Sequence, residues 1–296
     1  MIAKLKYYFV TDQRRLLIIL AMGGLIIFNI IFFFIPLIYG LVGSFYDWNP
    51  LLGKMDFIGV KNYVNIAASP LFKTSLVNTF LFSAGAVLLK TALALVIAVG
   101  INSLRKSKSF FRSMYFIPVI MPIVAIAIVW KWVYHPRIGL LNMLLSAFGI
   151  VGQNWLDASH ALGSILIMSV WKDIGYAIII FMAALLNIPN SVMEAASVDG
   201  VNSTQRFFKI TLPLVKPTVL FIMVTSLIAY FQTFVPMLIM TKGGPGDATY
   251  VLGYLIYFEA FKNYRFGYAS AISVVLFIIV IIITLIQYKL LSRGDD

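Results

Sequence analysis

The sequence predicts an all-α membrane protein with six transmembrane helices. Of its 296 residues, 61% are hydrophobic and only 11% are charged, whereas soluble domains carry about a quarter charged residues. A soluble core of this size has no room for so much apolar surface. The apolar residues also form six runs, and about 20 such residues suffice to span a bilayer. The runs cover residues 16–38, 76–101, 110–133, 162–186, 214–240 and 269–288.

Composition also excludes several classes of function. The chain has no cysteine, which excludes disulfides, thiol catalysis and thiolate metal sites. Its two histidines, His135 and His160, have no carboxylate cluster beside them in the sequence, so no metal site is predicted. The net charge is +12, but the bases flank apolar runs. This pattern indicates membrane topology and contact with anionic lipid headgroups, and no nucleic-acid partner.

We expect residues 1–15 to form a cytoplasmic N-terminal segment and residues 16–296 a single transmembrane domain. The first run is longer than the apolar region of a secretory signal and lacks a cleavage site, so it should remain as a helix. When the N-terminus is placed inside, the inside segments carry more Lys and Arg than the outside ones. The positive-inside rule therefore places both termini in the cytoplasm.

The runs contain residues that a simple lipid-facing helix does not need. Pro118 and Pro122 predict a bend in the third run, which either lines a pathway or is a packing kink. Lys90 in the second run must face protein or water. Lys172 and Asp173 in the fourth run are adjacent and project about 100° apart on a helix, so we do not expect them to pair simply with each other.

The segments between the runs are predicted from their composition. The stretch from Ser44 to Tyr63 is rich in aromatic residues, which favours an interfacial belt over a dedicated partner contact. Short helices at the membrane surface are expected in 140–151 and 250–261, and a glycine-rich loop in 241–249.

The segment 187–217, which we call the polar segment, separates the fourth and fifth runs. Pro189 can open a short helix, Gly200 suits a helix C-terminus, and Asn202 or Ser203 can cap a second helix. A plain connection needs none of these signals. Topology places the polar segment in the cytoplasm, and we predict that it is a docking element.

The sequence contains no phosphate-binding loop of the form G-x-x-x-x-G-K-[ST]. The residues of functional interest are therefore expected mainly in the spans. The chain is therefore not predicted to be an enzyme, and any nucleotide is hydrolysed by another chain. Asp173 is the candidate for a proton relay, with a structural hydrogen bond to Lys90 or to a partner favoured over that role. Aromatic and neutral polar side chains suit a polyhydroxy solute, with ordinary helix packing as the alternative. The candidates are Asp173, Tyr176, Tyr230, Gln232 and Thr233.

The polar segment resembles the EAA loop of the membrane subunits of bacterial ABC importers. The matching residues are Glu194-Ala195-Ala196, Asp199-Gly200 and Leu212-Pro213. Further motifs are similar to the carbohydrate-uptake branch and, within it, to the first of its two permease types, in its shorter six-span form. They are Ser44-Phe45 with Trp48, Phe116-Ile117-Pro118, Trp130-Lys131-Trp132, Gly139-Leu140-Leu141-Asn142 and Gly243-Gly244-Pro245.

The resemblance implies a type I ABC importer permease in the bacterial inner, or cytoplasmic, membrane. Its implied partners are a second homologous permease, two ATPase subunits that bind ATP and Mg, and an external solute-binding protein that delivers a sugar. The polar segment would couple the permease to the ATPases, and this chain would bind no cofactor itself. Glu194 would meet polar groups of the ATPase, Ala195 and Ala196 would allow close approach, and Gly200 would supply the bend.

Two other readings remain open from the sequence. One is a stand-alone secondary transporter or channel that uses Asp173, and the other is a structural membrane scaffold. The solute is also open among oligosaccharides, monosaccharides and glycerol phosphate. The lack of an evident intramembrane arginine cluster disfavours a phosphate ester.

Overall fold

A computed structural model describes residues 17–104 and 106–292 of the chain. As the sequence predicts, the protein is helical, and the described residues add one two-stranded hairpin. The predicted segment 1–15 lies outside the described residues. The helices are α1 (Leu17–Gly43), α2 (Lys61–Ala68), α3 (Pro70–Ser103), α4 (Lys108–Ile120), α5 (Ile123–Val133), α6 (Leu140–Ala147), α7 (Ala161–Leu186), α8 (Asn190–Val198), α9 (Ser203–Leu214), α10 (Lys216–Phe231), α11 (Val235–Met240), α12 (Leu252–Phe261) and α13 (Phe266–Ser292).

Five of the six predicted runs coincide with helices that can cross a membrane, whereas the fifth, 214–240, comprises α10 and α11 and is interrupted at residues 232–234. In the described part of the chain, α1, α3, α7 and most of α13 are long and apolar enough to do so as single helices. The third run is a bent pair, α4 and α5, with 100° between its halves, and α9 and α10 are bent by 68°. Counting each bent pair as one span gives up to six spans. The two segments in which short helices are predicted contain α6 and α12.

The bend between α4 and α5 follows from the prolines that the sequence places there. Pro118 lies inside α4, and Pro122 stands at the N-cap of α5 in an extended conformation. Proline lacks an N–H and excludes the helical conformation from the preceding residue. Met121, which precedes Pro122, accordingly has φ −76° and ψ 141°. The helical hydrogen bonding therefore stops at this point and resumes in a new direction.

The chain divides into two compact units, which we describe separately. The first comprises the residues up to Ile66 together with Glu259–Val274, and the second comprises Ala67–Phe258 and the residues from Val275 onward.

The first unit contains a hairpin that the sequence did not predict. Strands β1 (Tyr46–Asn49) and β2 (Lys54–Phe57) pair antiparallel. The Asn49 side chain closes the turn by accepting the backbone N–H groups of Leu51 and Leu52 at 3.0 and 3.2 Å. The aromatic stretch therefore forms part of the packed structure of this unit. Trp48 packs edge-on against Tyr39 and at a tilt against Phe266.

The second unit has a core in which α3, α7 and α10 meet. Small residues such as Ala94, Ala98 and Ala177 are fully buried and allow the helices to approach closely, as is common in membrane bundles. Phe181 and Ile222 fill the space beside them. This core supports both the candidate cavity and the polar segment described below.

The glycine-rich loop 241–249 of the second unit is held by one side chain of α3. The Asn78 amide donates to the backbone oxygens of Asp247, Ala248 and Tyr250 at 3.2, 3.3 and 2.9 Å. The two N–H groups of one amide are therefore shared among three carbonyls at the C-terminal end of the loop.

Replacing Asn78 with Asp is expected to destabilise this loop. Aspartate has nearly the same shape but only accepts hydrogen bonds, so three carbonyls lose their donor and face a negative charge. We expect a loss of about 1–3 kcal/mol of stability, measured as a lower thermal unfolding temperature in detergent and faster proteolysis within 241–249.

The matched control is Asn102→Asp on the same helix. There the side-chain oxygen accepts from Lys108 Nζ at 3.3 Å, so a carboxylate preserves the contact. Equal unfolding temperatures for the two variants would contradict the role assigned to Asn78.

Candidate functional site

The first half of the polar segment is a short helix with a well-defined end. At the C-terminus of α8, Asp199 N–H donates to Ala195 O at 2.9 Å, and Val201 N–H donates to Ala196 O at 3.1 Å. Gly200 lies between them with φ +71°. This is the Schellman arrangement, in which a glycine in the left-handed region reverses the chain. The predicted role of Gly200 as a helix terminator is confirmed.

The second half of the polar segment begins with a capping box. Asn202 Oδ1 accepts from Gln205 N–H at 2.8 Å, and Gln205 Oε1 accepts from Asn202 N–H at 3.2 Å. Of the two predicted caps, Asn202 is the one used. The helix then widens to a π-helical turn over Phe207–Thr211, just before Pro213. Pro213 has no N–H to continue the regular helical hydrogen bonding, and the wider turn before it is closed by Leu212 N–H, which donates to Phe207 O.

The polar segment is attached firmly to the core of the second unit. Val215, at its end, is buried and belongs to the same cluster as Phe181, Leu185 and Ile222. Leu212 is half-buried against that cluster. The polar segment is therefore in direct packing contact with α7 and α10.

The exposed part of the polar segment carries most of the predicted docking residues. Glu194, Ala195, Asp199, Gly200 and Pro213 are exposed, whereas Ala196 is buried within this chain. Val198 is 87% exposed. A helix end that presents an acid, a small residue and an apolar side chain to its surroundings is suited to contact another protein.

A cavity of about 120 Å³, lined by both polar and apolar groups, lies within the second unit where two helix interruptions approach α7. One interruption separates α4 from α5, and the other is residues 232–234 between α10 and α11. Irregular backbone at membrane depth is tolerated where it is buried in protein or lines a water-filled space. The cavity is lined by Ile123, Ser169, Lys172, Asp173, Ala229, Tyr230, Thr233 and Pro236.

Lys172 and Asp173 form an ion pair beside this cavity, which corrects the expectation that they would not pair. Lys172 Nζ lies 3.1 Å from Asp173 Oδ1. The two side chains leave the helix in different directions, but the long lysine chain curls back to reach its neighbour. Lys172 Nζ also donates to Val119 O at 3.5 Å. Lys172 thus supplies a hydrogen-bond donor to a carbonyl oxygen at the end of α4, where the α4–α5 break interrupts the helical hydrogen bonding.

Lys90 lies behind the cavity and is only 6% exposed. Its Nζ donates to Ser226 Oγ at 3.0 Å and lies 5.6 and 6.0 Å from the ring centroids of Tyr230 and Tyr176. Cations bind favourably over such ring faces. The expected hydrogen bond between Asp173 and Lys90 is not seen, because Lys90 uses a serine and two rings.

The structure brings together most of the predicted pathway residues. Asp173, Tyr230 and Thr233 line the cavity, and Tyr176 contacts it indirectly through Lys90. Gln232, at the C-terminus of α10, is exposed. Sequence reasoning missed Ser169 and Ser226, because a serine in an apolar run usually bonds its own helix backbone and gives no distinctive pattern.

The histidines have local roles outside the spans. His135 Nδ1 accepts the backbone N–H groups of Arg137 and Ile138. His160 Nδ1 lies 2.8 Å from Asp157 Oδ1, and this hydrogen bond lowers the pKa of the Asp157 carboxyl. Within residues 17–104 and 106–292, no three His, Cys, Asp or Glu side chains are grouped as metal ligands would be.

The fold matches that of a solved transporter. A chain of the crystal structure of a bacterial alginate ABC transporter, in complex with an alginate pentasaccharide-bound periplasmic protein, superposes with a TM-score of 0.84. The match covers 96% of each chain at 22% sequence identity. The fold is thus that of a membrane permease of a type I ABC importer.

The sequence comparisons define the family. The chain belongs to the family described as "binding-protein-dependent transport system inner membrane component", whose profile matches residues 90–294. The probable ABC transporter permease protein YurN of Bacillus subtilis (strain 168) is 32% identical over 292 residues, covering 97% of this chain and all of the relative. The multiple sugar-binding transport system permease protein MsmF of Streptococcus mutans is 31% identical, covering 91% and 93% of the two chains. The protein is therefore an ABC importer permease subunit of the inner membrane.

Proposed function

We propose that this subunit forms half of the transmembrane pathway for a sugar or oligosaccharide, and that a second, homologous permease forms the other half. The cavity beside α7 supports the proposal because it offers hydroxyl, carboxylate and aromatic groups together. Asp173, Tyr230 and Thr233 would contact the solute directly, and Tyr176 would support them through Lys90. Gln232 would act at the exposed end of α10, where the two permeases or the solute can reach it. The relative MsmF is named as a multiple sugar-binding system component.

Energy coupling is assigned to the polar segment. Two ATPase subunits that bind ATP and Mg would dock on it from the cytoplasm, one on each permease. The observation that carries this assignment is the exposed end of α8 with Glu194 and Asp199, which is fixed to the core through Leu212 and Val215. Ala195 would allow close approach of the ATPase, whereas Ala196 packs within this chain and supports the helix. Gly200 and Pro213 would fix the direction of the two short helices.

The remaining parts of the system follow from the same proposal. An external solute-binding protein would deliver the sugar to the outer face, as the family description implies. Both termini would lie in the cytoplasm, which agrees with the excess of bases in the inside segments. Membrane lipid would surround α1, whose described side chains are largely exposed and apolar.

Purification of the complex from its native membrane tests this proposal. We expect two ATPase subunits and a second permease to accompany the chain, and a sugar loaded on the external protein to stimulate ATP hydrolysis. A complex without ATPase subunits, or ATP hydrolysis that no solute stimulates, would contradict it.

A secondary transporter that uses Asp173 is the competing function, since Asp173 lines the cavity. Its carboxylate is instead engaged by Lys172 Nζ at 3.1 Å, which suits a structural role better than a relay. We therefore expect wild-type uptake to depend on ATP and not on a proton gradient, and Asp173→Asn not to change its pH profile. Uptake that persists without ATP and loses its pH dependence in Asp173→Asn would favour the carrier.

A further inference from the structure

The charges around the cavity do not balance. In the described residues of the candidate spans, Asp173 is the only acid. Two lysines lie near mid-span beside it, Lys90 and Lys172. Asp173 is engaged by Lys172 at 3.1 Å, and no carboxylate among the described residues forms an ion pair with Lys90. When Lys90, Lys172 and Asp173 are all ionised, the cluster carries one positive charge in excess.

This excess charge is buried. Lys90 is 6% exposed, and its polar contact in the structure is one neutral oxygen, Ser226 Oγ. A cation far from water normally has a carboxylate or another anion as its partner. Two ring faces and a hydroxyl reduce this requirement but do not meet it, since none of them is charged.

A second polar group in the same place is a buried hydroxyl. The Tyr230 side chain is 4% exposed and lines the cavity. Its hydroxyl lies near Asp173, but it forms no hydrogen bond of regular geometry within the described part of the chain. Buried hydroxyl groups are nearly always hydrogen-bonded. Lys90 Nζ lies 5.6 Å from the centroid of the Tyr230 ring, so a ligand in the cavity would meet the hydroxyl directly and the lysine through its field.

We infer that the solute is a saccharide that carries one acidic group, and that this group supplies the missing negative charge. This inference rests on the proposed function of the cavity as part of the solute pathway. The acidic group would accept a hydrogen bond from Tyr230 or Lys172 and be attracted by Lys90. Sugar hydroxyls would bond to Asp173 and Thr233. A carboxylate and a phosphate share this chemistry, and the experiment separates them.

Binding to the complete transporter in nanodiscs, with a non-hydrolysable ATP analogue and without the external protein, tests the inference. The probes are a uronic-acid disaccharide, the same disaccharide with its carboxylate reduced to an alcohol, and a sugar monophosphate. We expect at least one acidic probe to bind about tenfold or more tightly than the neutral probe. The stronger of the two acidic probes identifies the acidic group.

Three lysine variants locate the origin of this preference. Lys90→Met removes the charge, and Lys90→Gln removes it while keeping a donor for Ser226, so that one variant remains if the other does not fold. Both should bind acidic and neutral probes with similar affinity. Lys131→Met is the matched control, because Lys131 is exposed in the last turn of α5. It should retain the full preference.

Two results would overturn the inference. One is a wild-type protein that binds the neutral probe as well as or better than both acidic ones. The other is an acidic preference that persists in the Lys90 variants, which would place the selecting charge elsewhere. If Tyr230→Phe and Asp173→Asn leave binding of every probe and uptake unchanged, the proposed pathway site itself is wrong, which is a distinct outcome.

Discussion

A Gly200→Pro substitution is expected to abolish solute uptake while the protein still inserts into the membrane at the wild-type level. Gly200 has φ +71°, and proline is fixed near −65°. The chain between α8 and α9 must then leave in another direction, so the exposed residues of α8 no longer meet the ATPase. Because the proline ring cannot adopt φ +71°, the native turn cannot form, and we expect uptake to fall to background.

The measurement compares uptake of labelled solute with the amount of protein in the membrane fraction. Gly149→Pro is the matched control: Gly149 has φ +73° and open space around it, as Gly200 has, but follows α6 on the predicted outer side. Gly200→Asn should retain most activity because asparagine tolerates the left-handed region. Normal uptake by Gly200→Pro contradicts the coupling role, and equal loss in both proline variants indicates general misfolding instead.

The polar segment could be predicted from sequence because its structure is local. A left-handed glycine and a capping asparagine act on backbone atoms a few residues away, and each works as expected at Gly200 and Asn202. Most apolar runs could also be located from the sequence, because the hydrophobic thickness of a bilayer requires about 20 consecutive apolar residues.

The candidate cavity could be predicted only in part, because its contacts join residues far apart in the chain. Lys90 and Ser226 are separated by 136 positions, and Lys172 meets Val119 across 53. No local pattern relates such pairs. The ion pair of Lys172 and Asp173 was missed for a different reason: helix geometry fixes where a side chain starts but not where a long, flexible one ends. The β1–β2 hairpin was missed because the aromatic residues dominate that stretch and hide the Asn49 turn.

Gly175→Ala is expected to lower the thermal stability of the protein and to impair uptake. Gly175 lies on α7 where α4 crosses it, and a Cβ at this position would overlap the backbone oxygen of Tyr115. Backbone atoms cannot turn aside as a flexible side chain can, so α4 must move away from α7. Overpacking of this kind costs about 1–3 kcal/mol.

Gly163→Ala on the same helix is the control that isolates this contact. A Cβ there meets nothing within 4 Å, and replacing glycine with alanine in a helix favours folding by about 1 kcal/mol. The two variants therefore share the gain in helix propensity, and only Gly175→Ala suffers the clash. Thermal unfolding in one detergent should rank Gly163→Ala at or above the wild type and Gly175→Ala below it.

The same variant connects stability to function, because Gly175 is two residues from Asp173 and Tyr115 is one turn from Val119. Moving α4 away from α7 lengthens the 3.5 Å contact between Lys172 Nζ and Val119 O and opens the wall of the cavity. We therefore expect Gly175→Ala to reduce uptake even at temperatures where it is fully folded. Unchanged uptake together with an unchanged unfolding temperature would show that α4 and α7 do not need this close approach.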